Sequence, residues 1–324
     1  RLSLKDRALG TYKNEKVSSF LPFLKDIAKI LEDGILRAKK LGNGILPSYL
    51  IHEAKDYSKT GNKNFMGLDT VVVHSFETKT IPPFLEASAR ALKVGKELIN
   101  ENDIKVIKES DLYDKTYHFY KTAAALDDAP FEIGRVHAFT KGWLERECNF
   151  LHMSYKYLLG LLKGGYVDEF YKEMKTNLTL NMDPEVYGRN PLEASSFIVP
   201  TCNPDKSKHG QGFFARLSGA NAEFLNMYVI LFAGEPIFTY EDGVLKFHLK
   251  PLLSNEFFDK NNETSFLLFG KTTIIYKKDP SINLLKDSYK MTYIINDKEY
   301  DEVKGDLALS IRNGKVKKII VEIQ

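Results

Sequence analysis

Apolar side chains recur at helical spacing through residues 18 to 41, where Phe20, Leu24, Ile27, Ile30 and Leu31 line one side of an expected amphipathic helix. The pattern lapses over 42 to 82, rich in Gly, Asn and Thr. Only the β-branched run Val71-Val72-Val73 stands out there, so this stretch reads as irregular structure with a short strand. Helical spacing resumes in "IPPFLEASARALKVGKELI" after the Pro82-Pro83 pair, a common helix entry, and another helix is expected over 111 to 124. "GWLERECNFLHMSYKYLLGLLKGG" predicts one helix from Gly142 to Gly164-Gly165, and "YVDEFYKEMKTNL" predicts a second, amphipathic one. Residues 218 to 233 are apolar nearly all round, the pattern of a fully buried helix.

After Gly234 the period shortens. "VLKFHLK", "FLLFGKTTIIYKK", "KMTYIIND", "LALSI" and "VKKIIVEI" are short β-rich runs separated by turn residues. In "SIRNGKVKK", Asn313-Gly314 between two such runs predicts a type I′ hairpin, which needs positive φ at both turn positions. The boundary falls near 234, giving a helical domain over 1–233 and a β domain over 234–324, with no internal repeat in either.

Composition narrows the classes. At 324 residues, 43% hydrophobic and 27% charged, the chain reads as a globular protein able to bury a full core, and no run of about eighteen apolar residues suggests a membrane span. Its 46 basic and 43 acidic residues leave a net charge of +3 without a polybasic block, so neither nucleic acid nor a membrane is an expected partner. Two cysteines, Cys148 and Cys202, argue against a disulfide framework and suit a reducing compartment; with no signal-peptide pattern, the expected location is cytoplasmic. The chain starts at Arg1 without Met, as a piece of a longer protein would.

Three stretches carry candidate chemistry. On the expected helix from 143, Glu145, Cys148, Asn149, His152 and Lys156 share a polar face, opposite Leu144, Leu151, Leu158 and Leu162; this is either a solvated stripe or, with Trp143, the wall of a sugar-binding cavity. In "HGQGFFARLSGANAEFL", Ser218 is an N-cap candidate. The free N–H groups from Gly219 onward, with Arg216 and His209 nearby, make an anion site, or else an ordinary capped helix after a Gly-softened loop. "MDPEVYGRNPLEASSF" is a loop rich in hydrogen-bonding groups, where Arg189 and Glu193 are able to pair, either shaping a binding site or forming a structural ion pair. Residues 127 to 143 have a similar flavour, with Asp127, Asp128, Glu132, Arg135 and His137. Metal-ligand spacings, a P-loop, a dinucleotide fingerprint and a nucleophile elbow are absent from the sequence, so no metal and no organic cofactor is expected.

Taken together, "GWLERECNFLHMSYKYLLGLLKGGYVDEFYKEM", "MDPEVYGRNPLEASSFIV" and "HGQGFFARLSGANAEFL" resemble the C-terminal part of glycoside phosphorylases of the cellobiose phosphorylase group, above all the large members acting on β-glucan oligosaccharides. The likeness runs from about residue 45 to the helix ending near 233. It implies a mainly α fold, part of an (α/α)6 six-hairpin barrel, followed by a C-terminal β-sandwich-like domain. In that family a His in an F-x-H segment and a later Thr/Ser-Gly pair hold inorganic phosphate; Phe150-Leu151-His152 and Ser218-Gly219 match these motifs. Glu145 matches an acidic position of the pattern, expected to face the sugar or orient the His, while Arg216, Arg189 and Glu193 are expected supporting or sugar-site residues.

The chemistry implied is phosphorolysis. An inverting hydrolase needs one carboxyl group as acid and another to activate water, whereas phosphate already carries negative charge and attacks the anomeric carbon itself. His, Ser and backbone donors then replace the second carboxylate, which would repel phosphate. Inorganic phosphate is the co-substrate, β-linked glucose oligosaccharide the substrate and α-glucose 1-phosphate the product. The resemblance also implies a general-acid Asp in an N-terminal remainder that has no counterpart within residues 1 to 60, and relatives that often form homodimers. Ala194 and Gln211 depart from the amide and basic side chains expected at their positions. Two alternatives stay open: a non-catalytic carbohydrate-binding or structural fragment, and a hydrolase drawing its second carboxylate from Asp127, Asp128 or Glu132.

Overall fold

In the computed structural model, which describes residues 16–215 and 218–324, the chain divides into two units, Arg1–Pro83 and Phe84–Gln324. In the first, a 3₁₀ turn at Val17–Phe20 leads into α1 (Leu21–Leu41). Pro22 lies in its first turn, and Lys39 and Lys40 complement the carbonyl end in its last. None of the α1 side chains is buried, and Leu24, Ile27, Ile30 and Leu31 are exposed. The segment expected to be irregular is a long antiparallel ribbon of β1 (Leu50–Lys63) and β2 (Asp69–Thr80), paired from Leu50↔Thr80. Most of the ribbon is exposed on both faces, so no burial enforces the alternation by which strands are recognised in sequence. Lys79–Glu53 (2.6 Å) and Lys59–Asp69 (2.8 Å) tie the strands, and the Asn64 side chain accepts from the N–H groups of Met66 and Leu68 in the turn.

The second unit opens with α2 (Leu85–Leu92) and α3 (Glu101–Glu109), the latter entered through a capping box of Asn100 and Asp103. No helix covers 111 to 124. The Asp114 carboxylate instead accepts from the N–H groups of Thr116 and Tyr117 and from the Thr201 N–H and hydroxyl, at 2.7 to 3.1 Å. The side chain thereby competes with the helical ladder, leaving a small hairpin of β3 (Tyr113–Asp114) and β4 (Phe119–Tyr120). There follow β5 (Asn149–Phe150), α4 (Leu151–Lys163), α5 (Val167–Asn177), the single turn α6 (Pro184–Tyr187), β6 (Ser195–Ile198), β7 (Gly212–Ala215) and α7 (Ser218–Ala233). α4 is the central helix, packed by α2, α5 and α7, with Tyr157, Leu158, Leu161 and Phe170 in the core.

Beyond α7 run β8 (Phe238–Glu241), β9 (Val244–Phe247), β10 (Glu263–Leu268), β11 (Thr272–Lys278), β12 (Met291–Ile295), β13 (Lys298–Tyr300), β14 (Val303–Lys304), α8 (Gly305–Arg312) and β15 (Lys318–Ile323). They form a five-stranded mixed sheet of order β10-β11-β15-β12-β13, in which β11 and β15 are parallel, and a three-stranded sheet β14-β9-β8. Strict alternation buries Ile319, Val321 and Ile323 of β15 on one face. "LALSI" belongs to α8, with Ala308 and Ile311 buried one helical turn apart. Asn313-Gly314 ends that helix rather than turning a hairpin: Gly314, at φ 70°, donates to the Ile311 carbonyl and Lys315 to Ser310, a Schellman cap. The type I′ turn lies at Asn296-Asp297, both at positive φ, between the paired Ile295 and Lys298.

These observations correct the expected fold class. The protein is roughly 36% helical and 26% strand, with several small sheets, and among the described residues no closed barrel is present. The (α/α)6 barrel implied by the resemblance needs paired helices, whereas 111–124 and 143–150, expected to be helical, are hairpin, turn and strand. The parallel β11/β15 pair and α8 replace the two antiparallel sheets of a sandwich.

Candidate functional site

Two helices begin where two strands of one sheet end. In the β5-β6-β7 sheet, β6 pairs antiparallel with β5 through Asn149↔Ile198 and Phe150↔Phe197, and with β7 through Phe197↔Phe213 and Ile198↔Gly212. The outer strands therefore run in the same direction. α4 starts at Leu151, directly after β5, and α7 at Ser218, after β7, and the two helices pack together. Their first turns lie side by side. His152 is the second residue of α4 and Gly219 the second of α7, and a Cβ added at Gly219 would stand 2.5 Å from Nδ1 of His152. Phe150, stacked on Phe197 with centroids 4.8 Å apart, presents its edge to the imidazole at 5.8 Å.

The late start of α4 revises the polar face. Trp143 to Arg146 form a tight turn, and Leu144 and Glu147 have positive φ, so Glu145, Cys148 and Asn149 do not share a helical face with His152. Lys156, one turn along α4, does.

Charge around the imidazole comes from three elements. Glu223 of α7 places Oε1 3.6 Å from His152 Nε2, and its Oε2 lies 3.6 Å from Nζ of Lys93, the residue that follows α2. The side chains of Glu223 and His152 are 13% and 27% exposed. Burial holds the His152 pKa below its ordinary value; the Lys156 cation adds to this, Glu223 opposes it and Lys93 adds a little more. Lys93 is likewise lowered, by burial first and against the pull of Glu223. Burial and the two lysines thus disfavour the charged ring, whose face lies against Gly219 and whose Nε2 lies near Glu223 one turn further along α7.

The other expected residues make their contacts elsewhere. Arg216 lies outside the described residues, as does the Ser218 side chain. Glu145 pairs with exposed Arg135 at 2.9 Å. Arg189 and Glu193 pair at 3.1 Å, and Arg189 Nε donates to the Gly212 carbonyl at 2.7 Å, so this ion pair braces β7. His209 Nε2 donates to the Asn203 carbonyl at 2.8 Å and fixes its own loop. Asp127 is held by Lys141 (2.7 Å) and Arg146 (2.9 Å), beside the buried Glu147; Asp128 and Glu132 are exposed. Glu223 and Lys93 were not singled out from sequence. The available signal for Glu223 was its place one turn after Gly219, on the same helix face.

Trp143 meets Phe213 at 4.9 Å and Phe214 at 5.9 Å, extending an aromatic row from Phe150 and Phe197 along the sheet. A cavity of about 100 Å³ reaches the first turns of α7 between Tyr155, Ala194, Asn221 and Phe224. A larger cleft of about 250 Å³, between the β3–β4 turn and α6, contains neither His152 nor Gly219. Among the described residues, no group of three or more His, Cys, Asp or Glu is placed to hold a metal ion, and no helix is long and apolar enough to cross a membrane. In comparison with known proteins, the chain matches no protein-family model and no curated protein.

Proposed function

We propose that this chain carries the phosphate-binding part of an inverting glycoside phosphorylase that cleaves β-linked glucose oligosaccharides with inorganic phosphate. The supporting observation is the meeting of His152 and Gly219, drawn from the two motifs on which the family resemblance rests and brought into van der Waals range by one sheet. An anion at the head of α7 would accept from the first free N–H groups of that helix and from the imidazole beside them. Held there, a phosphate oxygen attacks the anomeric carbon as the glycosidic C–O bond breaks. The departing oxygen takes a proton from a carboxylic acid on a part of the enzyme outside this chain, and inversion gives α-glucose 1-phosphate. The (α/α)6 barrel implied by the resemblance forms no part of this reading, which is supported by the two motifs and their meeting at the junction.

The aromatic row of half-buried Trp143 and Phe213 and exposed Phe214 supports one further reading, a carbohydrate-binding fragment without catalysis, since aromatic rings suit the apolar faces of sugars. Incubating the full gene product with β-glucan oligosaccharide separates the two. Glucose 1-phosphate formed only when phosphate is present supports the phosphorylase. Oligosaccharide binding that is indifferent to phosphate, with no such product, rejects it.

A further inference from the structure

The cleft of about 250 Å³ between the β3–β4 turn and α6 has walls held by hydrogen bonds from several elements. The His118 carbonyl in the β3–β4 turn accepts from the Thr176 hydroxyl at 2.6 Å and the Asn177 amide at 3.1 Å, which fastens that turn to the end of α5. On the α6 side, the Asp183 side chain caps the helix by accepting from the Glu185 N–H at 2.9 Å. Both walls are thus fixed by the protein's own bonds, as in a pre-formed ligand site. Resting on the oligosaccharide substrate proposed above, we infer that this cleft holds one β-linked glucose ring of the substrate chain.

Buried Phe119 and Ile198 and exposed Val186 give the cleft apolar surface, and half-buried Tyr117 stacks on Phe119 with planes 15° apart and centroids at 5.9 Å. Aromatic and aliphatic walls together match the C–H face of a pyranose. The polar lining keeps unused capacity. Among the described residues, the Tyr117 hydroxyl and the Lys175 ammonium make no hydrogen bond; Asp183 bonds Glu185 through Oδ1 and keeps Oδ2, and Asn181 donates to the Met174 carbonyl at 3.0 Å and keeps Oδ1. Lys175 only donates, the two free oxygens only accept, and the phenol does both. A ligand hydroxyl answers either kind, so a polyhydroxyl compound suits this mixture where a pure donor or pure acceptor does not. The lining carries one cation, Lys175, and one carboxylate, Asp183, a balance that favours a neutral ligand over an ion. The volume lies below the roughly 300–1,000 Å³ of drug-sized sites, so one ring is enclosed rather than a chain.

Methyl β-glucoside, a single ring, is the probe, and the methyl resonance of Met182, which lines the cleft, is the reporter in carbon NMR of the full chain. That resonance should shift saturably below about 50 mM glucoside, a weak affinity in keeping with one sugar ring. Tyr117→Ala removes the aromatic wall and should raise the Kd about two- to tenfold. Lys175→Ala changes an exposed side chain without touching the core and should raise it by about tenfold or less, with thermal melting confirming both folds. No shift of Met182, or an unchanged Kd in either folded variant, overturns the inference. An equal shift from cyclohexanol at the same concentration also overturns it, because the cleft would then select apolar bulk and not hydroxyl groups. The phosphorylase reading is judged separately by phosphate-dependent formation of glucose 1-phosphate: a chain that binds the glucoside but makes no such product keeps the cleft and loses that reading, and a chain that makes it with a silent Met182 does the reverse.

Discussion

Adding one methyl group at Gly219 tests the geometry directly. The Cβ of Gly219→Ala would stand 2.5 Å from Nδ1, 2.6 Å from Cγ and 2.8 Å from Cε1 of His152. Three ring atoms are struck together, so flipping the ring in place cannot relieve the clash and the whole imidazole must swing away. Because the ring is 27% exposed it can swing toward solvent, and the overpacking cost belongs at the low end of about 1–3 kcal/mol. Gly219 has no positive φ, so alanine accepts its backbone and returns up to about 1 kcal/mol of helix propensity. Net stability should change by no more than about 1–2 kcal/mol. On the proposed anion site, the swing would also remove a charge-assisted hydrogen bond from the imidazole to the anion, about 1.5–3 kcal/mol, which is roughly ten- to over a hundredfold in Kd. Calorimetric titration with phosphate, beside a thermal melt of the same sample, reads both quantities. A folded Gly219→Ala that binds phosphate within about twofold of wild type would refute the placement of the anion at this junction.

Glu173 is buried and ion-paired to Lys108; burial pushes its carboxyl up, with Lys108 opposing. A carboxyl raised in the folded state favours folding below its unfolded pKa, an advantage lost as pH rises through the folded value. Lys108→Met raises it further, so urea denaturation should show a loss growing above the ordinary 4.5 toward about 3 kcal/mol or less, the partial exposure of Lys108 reducing it; a pH-independent loss would contradict this. The Cys202 thiol is pushed up to about 11 by burial, against Lys121, and Cys148 is fully buried, so at about pH 8 iodoacetamide should label neither before unfolding, as mass spectrometry would show. Asp297→Gly should raise the melting temperature, with about 0.5–1 kcal/mol gained from relieving left-handed strain in the β12–β13 turn.

Legibility in the sequence followed the strength of local patterning. α1, α5 and α7 were readable because a long run of side chains keeps one helical period, and β11 and β15 because alternate residues are buried. The β1–β2 ribbon was hidden because solvent covers both faces and nothing forces alternation. The 143–150 stretch copies a helical period yet holds two left-handed residues and a strand, an outcome set by pairing with β6 nearly fifty residues away. α7 was expected to be wholly buried, but Leu225 and Val229 are exposed: an apolar composition does not by itself cover a helix. His152 and Gly219 were visible as candidates. Their neighbours Glu223 and Lys93 were not, because their meaning comes from three helices meeting at one imidazole.

The same junction gives an acidic residue a physical reason to lie beside the proposed anion site. Packing the first turns of α4 and α7 together sets two positive helix ends next to each other, each equivalent to roughly half an elementary charge. Lys93 and Lys156 add two full charges within reach of the same ring. Without a carboxylate these like charges would repel one another. Glu223 supplies a counter-charge 3.6 Å from Nε2 and 3.6 Å from the Lys93 ammonium. Glu223 thus offsets part of the repulsion among these positive groups by itself, and an anion of the kind proposed would offset more of it.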